Sequence, residues 1–360
     1  MENRNKVLII SMLSGFGHIR AGEALLDYAK ENIKSLDAHH IDICDIDPEL
    51  KRYAKIYEFL SKRFPILWDF SYKYLPVSLT KKIVSLGGST KSGIIDYIDK
   101  EDPDTIIFTN VVIVPMFINI LKKRFPKTVL AVLVTDYHAH PYYVFKDINR
   151  YFVGHEEVKE ELVRLGVKQQ RVIVSGIPIN PRFYIKQSIP ALKKKYETNN
   201  GFPVVLLIAS FRLSVSKIVL LVRQILSFNP RVNLIFIANG NKRLSRIIER
   251  LFSKEKRLKI VLWTNKMEEY IKISDVVITK AGGLTVSECL AIKKPMIILN
   301  PIPGQEEHNA SFVEKNGLGK WVKNSDEVVK VLPDLLGKDY TSNSIIKENP
   351  SETIFKELGL

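Results

Sequence analysis

Cysteine is almost missing from this chain: Cys44 and Cys289 are the only two in 360 residues. They lie far apart, without CxxC spacing or a neighbouring histidine pair. This excludes a disulfide framework and a thiolate metal centre, and both thiols read as reduced and structural. No stretch approaches the ~20 consecutive apolar residues of a membrane-spanning helix. The apolar run KVLIISM (6–12) is shorter than a secretory signal's core and has no small-residue cleavage site after it, so the chain is expected to be cytoplasmic. A GxxxxGK[ST] phosphate loop is absent, which argues against a P-loop ATPase. Acidic residues are the minority, 39 against 54 Lys and Arg, for a formal charge of +15. An anionic partner follows: nucleic acid, a phosphorylated small molecule or an acidic lipid surface. The RRM, KH and zinc-finger signatures that would favour nucleic acid are absent as well.

What is present is a folding core. Of the residues, 46% are hydrophobic, enough for large cores, and the length suits two domains. Apolar β-rich runs alternate with helical patterns: KVLIISM (6–12), HHIDICD (39–45), DTIIFTN (104–110), TVLAVLVTD (128–136), RYFVG and RVIVSG. Their continuous apolar character predicts strands buried on both faces, hence parallel sheets covered by helices. The pattern breaks at PRFYIKQSIPALKKKYETNNGFP (181–203), with three prolines and five Lys or Arg. A second series follows: PVVLLIAS, VNLIFIAN, LKIVLW, DVVITKAGG and PMIILNP. The prediction is α/β, with two doubly wound domains: residues 1–180, a linker at 181–202, residues 203–338, and a helical tail at 339–360. In such sheets ligands bind beyond the carboxyl ends of the strands.

Two segments at such ends carry candidate chemistry. After the first strand, SGFGHIRAGEAL (14–25) has Gly15 and Gly17 for a tight turn and His18 at a helix start. It is a poor dinucleotide fingerprint, because Arg20 stands where GxGxxG needs its third glycine; a plain strand-to-helix turn with a capping histidine fits equally well. In the second series, DVVIT is followed by Lys280-Ala281-Gly282-Gly283 and LTVSECLA, a glycine turn and helix start directly after a buried strand. Free N–H groups and the helix dipole there can hold a diphosphate without a metal ion. Glu288, a turn and a half into that helix, reaches a ribose diol or is simply a solvated helical residue. The next strand delivers PIPGQEEHNA to the same edge, which points to a sugar nucleotide.

The segment WTNKMEEYIKISDVVITKAGGLTVSECLAIKKPMIILNPIPGQEEHN (263–309) resembles the donor-binding region of the monogalactosyldiacylglycerol synthase and processive diacylglycerol glucosyltransferase family. That family is related to the lipid-linked N-acetylglucosaminyltransferase of peptidoglycan synthesis. PGQEExN is the most specific element. SGFGHIRAGEAL resembles the family's glycine-rich segment, and residues 134–183 the end of its acceptor domain. The resemblance implies a GT-B fold, two Rossmann-like domains facing a cleft, with a UDP-sugar on the C-terminal domain and a lipid acceptor approached through the N-terminal one. Carried over, Trp263 and Thr264 would frame the uracil, Gly282, Gly283, Leu284 and Thr285 the diphosphate, and Glu288 the ribose. Gln305 and Glu306 would contact sugar hydroxyls, with Asn309 supporting their loop. His18 becomes the leading base for the acceptor hydroxyl, and Asp136 the second choice.

The resemblance thus implies inverting transfer of a hexose to a lipid, diacylglycerol first, with no cofactor and no essential metal. Transfer of N-acetylglucosamine to a polyprenyl-linked acceptor and an inactive sugar-nucleotide binder stand as alternatives. Two departures bear on this. The first donor-domain loop, SFRLSVS, lacks the family's glycines, leaving Ser210, Arg212 and Ser214 to meet the phosphates by side chain. Phe16 replaces a glycine beside His18. Residues 51–92 carry nine Lys or Arg, two acidic residues and eight aromatics. Such a mixture suits an anionic membrane surface at the inner face of the cell membrane, Lys62, Arg63, Lys81 and Lys82 supplying charge and Phe64, Trp68 and Phe70 insertion.

Overall fold

A computed structural model describes residues 5–13, 16–52, 75–86, 91–198, 201–209, 213–228, 231–336 and 348–360. The chain divides into two compact units, residues 1–181 with 303–305 and 346–360, and residues 182–302 with 306–345.

The first unit is built on six parallel strands: β1 (Asn5–Ser11), β2 (Leu36–Asp42), β3 (Thr105–Phe108), β4 (Val129–Leu133), β5 (Arg150–Val153) and β6 (Val172–Val174), in the order β2-β1-β3-β4-β5-β6. The all-apolar runs fill the centre, where β3 is buried at every position. The edge strand β2 (LDAHHID) is half-exposed throughout. It ends at Asp42, earlier than the run 39–45 suggests, because the Asp42 carboxylate accepts from Cys44 N at 3.0 Å and starts a short helix, Ile43–Ile46. Strand order reverses between β1 and β3, so the crevice of this sheet lies beyond their carboxyl ends.

The second unit also has six parallel strands, β7 (Val204–Ile208), β8 (Asn233–Ile237), β9 (Leu258–Val261), β10 (Val276–Thr279), β11 (Met296–Leu299) and β12 (Gly319–Val322), in a different order, β12-β11-β10-β7-β8-β9, with three strands on each side of the reversal. Here the reversal falls between β7 and β10. The loops after these two strands are those that begin SFRLS and KAGG. The sequence reading missed β12: GKWV is too short and too polar to stand out. It pairs closely with β11, and a Cβ added at Gly319 would lie 2.0 Å from Met296 O.

The helix Pro350–Glu357 belongs to the first unit, its Phe355 stacked on Tyr28 of the helix Phe16–Asn32 with ring centroids 6.1 Å apart. Both cysteines are buried and unpaired. Burial pushes the Cys44 thiol up to about 11 and the Cys289 thiol well above its usual value, so both are inert. Among the described residues no helix is long and apolar enough to cross a membrane.

Of the 51–92 segment, residues 53–74 and 87–90 lie outside the described residues, among them Lys62, Arg63, Phe64, Trp68 and Phe70. Lys82 is exposed, on the helix Val77–Leu86. Lys81 differs from the expectation. Its ammonium donates to Val144 O at 2.5 Å and stands 4.0 Å from the centre of the Phe145 ring, and burial pushes it down to about 8. This cation is spent inside the unit.

Candidate active site

In the first unit the crevice edge holds a titratable group on a fixed mount. His18 lies in the first turn of the helix Phe16–Asn32, directly after β1, and Thr109 directly after β3. His18 Nδ1 lies 3.0 Å from Thr109 O and 2.9 Å from Thr135 Oγ1, the latter just past the end of β4. A carbonyl oxygen can only accept, so this network assigns the proton to Nδ1 and leaves the lone pair of the neutral ring on Nε2. Burial lowers the affinity of the ring for a proton, opposed by the Asp136 carboxylate and by the bond to Thr109. The imidazole is thereby held neutral near pH 7, the form a base requires.

The mount below His18 is a buried hydroxyl chain. Ser11 Oγ is 2.7 Å from Thr109 Oγ1 and 2.7 Å from His40 Nε2. Gly22 makes room for it: a Cβ there would lie 2.4 Å from His40 Nε2 and 2.8 Å from Ser11 Oγ. The glycine that lets this helix approach its strand is therefore present, two residues beyond the Arg20 position where the fingerprint would require it. Gly15 and the Phe16 side chain lie outside the described residues. Asp136 is 6% exposed, and Gln305, which clusters with this unit, donates from Nε2 to Asp136 Oδ2 at 2.6 Å. Two residues selected separately, one as an alternative base and one as a sugar contact, are thus joined.

In the second unit the edge after β10 offers backbone instead. Gly282 is the N-cap of the helix Gly283–Ala291, and no side chain caps that helix. The first-turn N–H groups, from Gly283, Leu284 and Thr285, are open to an anion, favoured further by the helix dipole. Gly282 has an ordinary φ of −69°, and a Cβ there would meet nothing within 4 Å. Neither backbone nor packing requires a glycine at this position, and the space beside it is open.

The neighbouring side chains brace this turn. Asn309 is fully buried and donates from Nδ2 to Ala281 O at 3.0 Å, tying its helix to the KAGG turn. Glu306 pairs through Oε1 with Lys280 and accepts from Ile302 N through Oε2 at 2.9 Å, so both of its oxygens organise the loop. Glu288 is 5% exposed, which rules out a solvated helical residue. Trp263 is 57% exposed just after β9, a free indole face, and Thr264 Oγ1 accepts from Lys266 N at 2.9 Å. Ser214 is described and 2.9 Å from Ser216 Oγ, but Ser210 and Arg212 lie outside the described residues.

Sequence reasoning passed over Thr109, Thr135, Lys280 and Gly22. The signal for the threonines was their position at the polar ends of apolar runs, FTN and LVTD; for Lys280 it was adjacency to the glycine turn.

Two family models match successive parts of the chain. The family model described as monogalactosyldiacylglycerol (MGDG) synthase matches residues 18–179, and that of the glycosyltransferase family 28 C-terminal domain matches residues 214–358. A processive diacylglycerol beta-glucosyltransferase of Staphylococcus carnosus is 30% identical over 340 residues, covering 93% of this chain and 85% of that protein. Among solved structures, the S. aureus MnaA–UDP complex superposes with a TM-score of 0.62 at 15% identity, covering 98% of this chain and 96% of that one. Acinetobacter baumannii MurG gives 0.60 at 11% identity, covering 99% and 100%. These structural likenesses establish the fold, which is GT-B. The chain belongs to the family of monogalactosyldiacylglycerol synthases and processive diacylglycerol glucosyltransferases.

Proposed function

We propose that this protein is an inverting glycosyltransferase that moves a hexose from a UDP-sugar to a lipid acceptor, diacylglycerol first, while peripherally bound at the inner face of the cell membrane. The observation that carries this reading is the relative named as a processive diacylglycerol beta-glucosyltransferase, matched over 93% of this chain.

The residues supply the parts of the reaction. The diphosphate rests on the first-turn N–H groups after Gly282, the uracil on Trp263 and Thr264, and the ribose on Glu288, with Gln305 and Glu306 reading sugar hydroxyls. The acceptor oxygen forms its bond to the anomeric carbon as the bond from that carbon to the diphosphate oxygen breaks. The acceptor proton goes to Nε2 of His18, and UDP departs with the electron pair, its charge met by the helix start. On this reading no divalent metal is essential, and EDTA should leave transfer intact.

The test is a donor profile: UDP-glucose, UDP-galactose and UDP-N-acetylglucosamine offered with diacylglycerol vesicles, followed by identification of the product lipid. Hexosyl-diacylglycerol from one of the first two is the expected result. Binding of UDP with no transfer from any donor would leave an inert sugar-nucleotide binder, and transfer only from UDP-N-acetylglucosamine would move the chain to the polyprenyl alternative.

A further inference from the structure

One titratable group beside the first crevice takes no part in the reaction as written above. His40 stands on the edge strand β2, opposite Ile9 of β1, half-buried, with Nε2 2.7 Å from Ser11 Oγ. Room for its ring is bought from the helix Phe16–Asn32. Gly22 lies in the interior of that helix, where glycine is the poorest residue after proline, and a Cβ there would lie 2.4 Å from His40 Nε2. What the glycine admits is a polar ring onto a fully buried hydroxyl.

That hydroxyl is a junction. Ser11 Oγ donates to His18 O at 3.3 Å and is 2.7 Å from Thr109 Oγ1. His18 carries the candidate base, and Thr109 O is the carbonyl 3.0 Å from its Nδ1. One side chain therefore ties the residue that bears the ring to the residue that orients it, and His40 is the third partner of that side chain.

The protons of this chain can be counted. Burial lowers the proton affinity of His40, with Asp42 opposing, and the neutral ring has one N–H to place. Suppose Nε2 accepted from Ser11. Thr109 would then have to donate to Ser11, and neither His18 O nor Ile10 O, 3.5 Å from Thr109 Oγ1, would receive a proton from the chain. With Nε2–H donating to Ser11, each short contact has its proton and the chain ends on a carbonyl. A proton on Nε2 thus satisfies more of the chain, and it is the tautomer opposite to that of His18. No proton can pass from this chain to the His18 ring, because Thr109 meets Nδ1 through its backbone carbonyl. The chain holds the ring in place and does not relay.

We propose that His40 is a positioning residue for the candidate base: by donating from Nε2 to Ser11 it fixes Thr109 against His18, and so keeps the His18 ring in one tautomer and one orientation. Its consequence for kcat rests on the transferase reading given above; the state of the His18 ring does not, and can be read directly.

The test is nitrogen-15 NMR of the full chain labelled in its histidine rings, without substrate, the signals assigned with His18→Ala and His40→Ala. The parent should show His18 as Nδ1–H and His40 as Nε2–H. In His40→Leu, His18 should become a mixture of tautomers, and its titration should move to lower pH, because the bond to Thr109 favours the protonated ring. His40→Gln, whose side-chain N–H can meet the same Ser11 oxygen, should restore both signals. In transfer assays His40→Leu should lower kcat by about tenfold, with KM for the UDP-sugar and UDP affinity unchanged, and His40→Gln should recover it to within about threefold. Thermal unfolding checks that each variant is folded; if His40→Leu is not, Ser11→Ala removes the junction and is read in the same way. A parent His40 with its proton on Nδ1, a His18 ring indifferent to His40→Leu and to Ser11→Ala, or a failure of His40→Gln to restore it would each overturn the proposal. A parent that transfers no sugar would count against the function proposed above, and the ring signals would still decide the role of His40.

Discussion

Each sheet has six parallel strands whose order reverses once, after the first two strands on one side in the first unit and after the first three in the second, and their crevice edges are furnished in opposite ways. The first unit presents a titratable ring, His18, mounted on Thr109 and Thr135. The second presents peptide N–H groups at an uncapped helix start, braced by Asn309 and the Lys280–Glu306 pair. In the proposed reaction, the group that gains a proton is set against a carbonyl that fixes its tautomer, and the turn that receives the departing anion has donors already oriented and unable to titrate away. Open α/β sheets place ligands at the switch point, and on this proposal the residues there decide whether that place serves as base or as anion cradle.

The sharpest way to break this comparison is to remove the ring. His18→Ala should lower kcat by about 10²- to 10⁴-fold, the range typical of a lost general base, while UDP affinity stays unchanged because the cradle belongs to the other unit. Single-turnover rates and calorimetry on the same preparation separate the two. A loss of threefold or less would mean that the first edge does not supply its base through His18, and Asp136→Asn would become the next variant.

Glycines sharpen the contrast from the structural side. Gly22 is required by packing, since a Cβ would collide with His40 and Ser11, whereas at Gly282 a Cβ meets nothing. Gly22→Ala should therefore destabilise the protein by about 1–3 kcal/mol, as overpacking does. Gly282→Ala should change stability by about 1 kcal/mol or less, the scale of an N-cap exchange. Its effect should fall on UDP binding, weakened by about 1.4 kcal/mol, or tenfold. Thermal unfolding with and without UDP reads both variants. If Gly282→Ala binds UDP like the parent, the diphosphate does not approach this turn.

Those two glycines also show what the sequence could and could not disclose. Of the twelve described strands, the central ones stand out as apolar runs, because strands buried on both faces of a parallel sheet have no polar side to blur them, whereas the half-exposed edge strand β2 was marked only by the run 39–45, which overlaps its second half. β12 was lost because an edge strand with one buried face offers only GKWV. The KAGG turn was legible because strand, glycines and helix follow one another within a few residues. The mount of His18 was not: Thr109 and Thr135 lie 91 and 117 positions away, and only the sheet order brings β1, β3 and β4 side by side. Lys81 misled for a related reason, since a lysine in a basic, aromatic stretch looks like a surface cation until Val144 and Phe145 are seen against it.

The mount itself makes the smallest and most specific prediction. Thr135→Val removes one of the two oxygens at Nδ1 and leaves the ring in place, so kcat should fall by about tenfold, equivalent to ~1.4 kcal/mol and in line with one hydrogen bond to a group that becomes charged in the reaction. KM for the UDP-sugar should be unchanged, and Thr135→Ser should restore the rate, because a hydroxyl at that position suffices. The pH profile adds a readout that a merely structural role would not move. Since burial depresses the proton affinity of His18, the acid limb of kcat/KM should lie below the usual histidine value of 6.5. The Asp136 carboxylate raises that affinity, so in Asp136→Asn, if some activity is retained, the limb should shift to still lower pH. A shift of the limb towards higher pH in that variant would contradict the assigned coupling, and complete loss of transfer, with UDP binding intact, would transfer the role of base to Asp136.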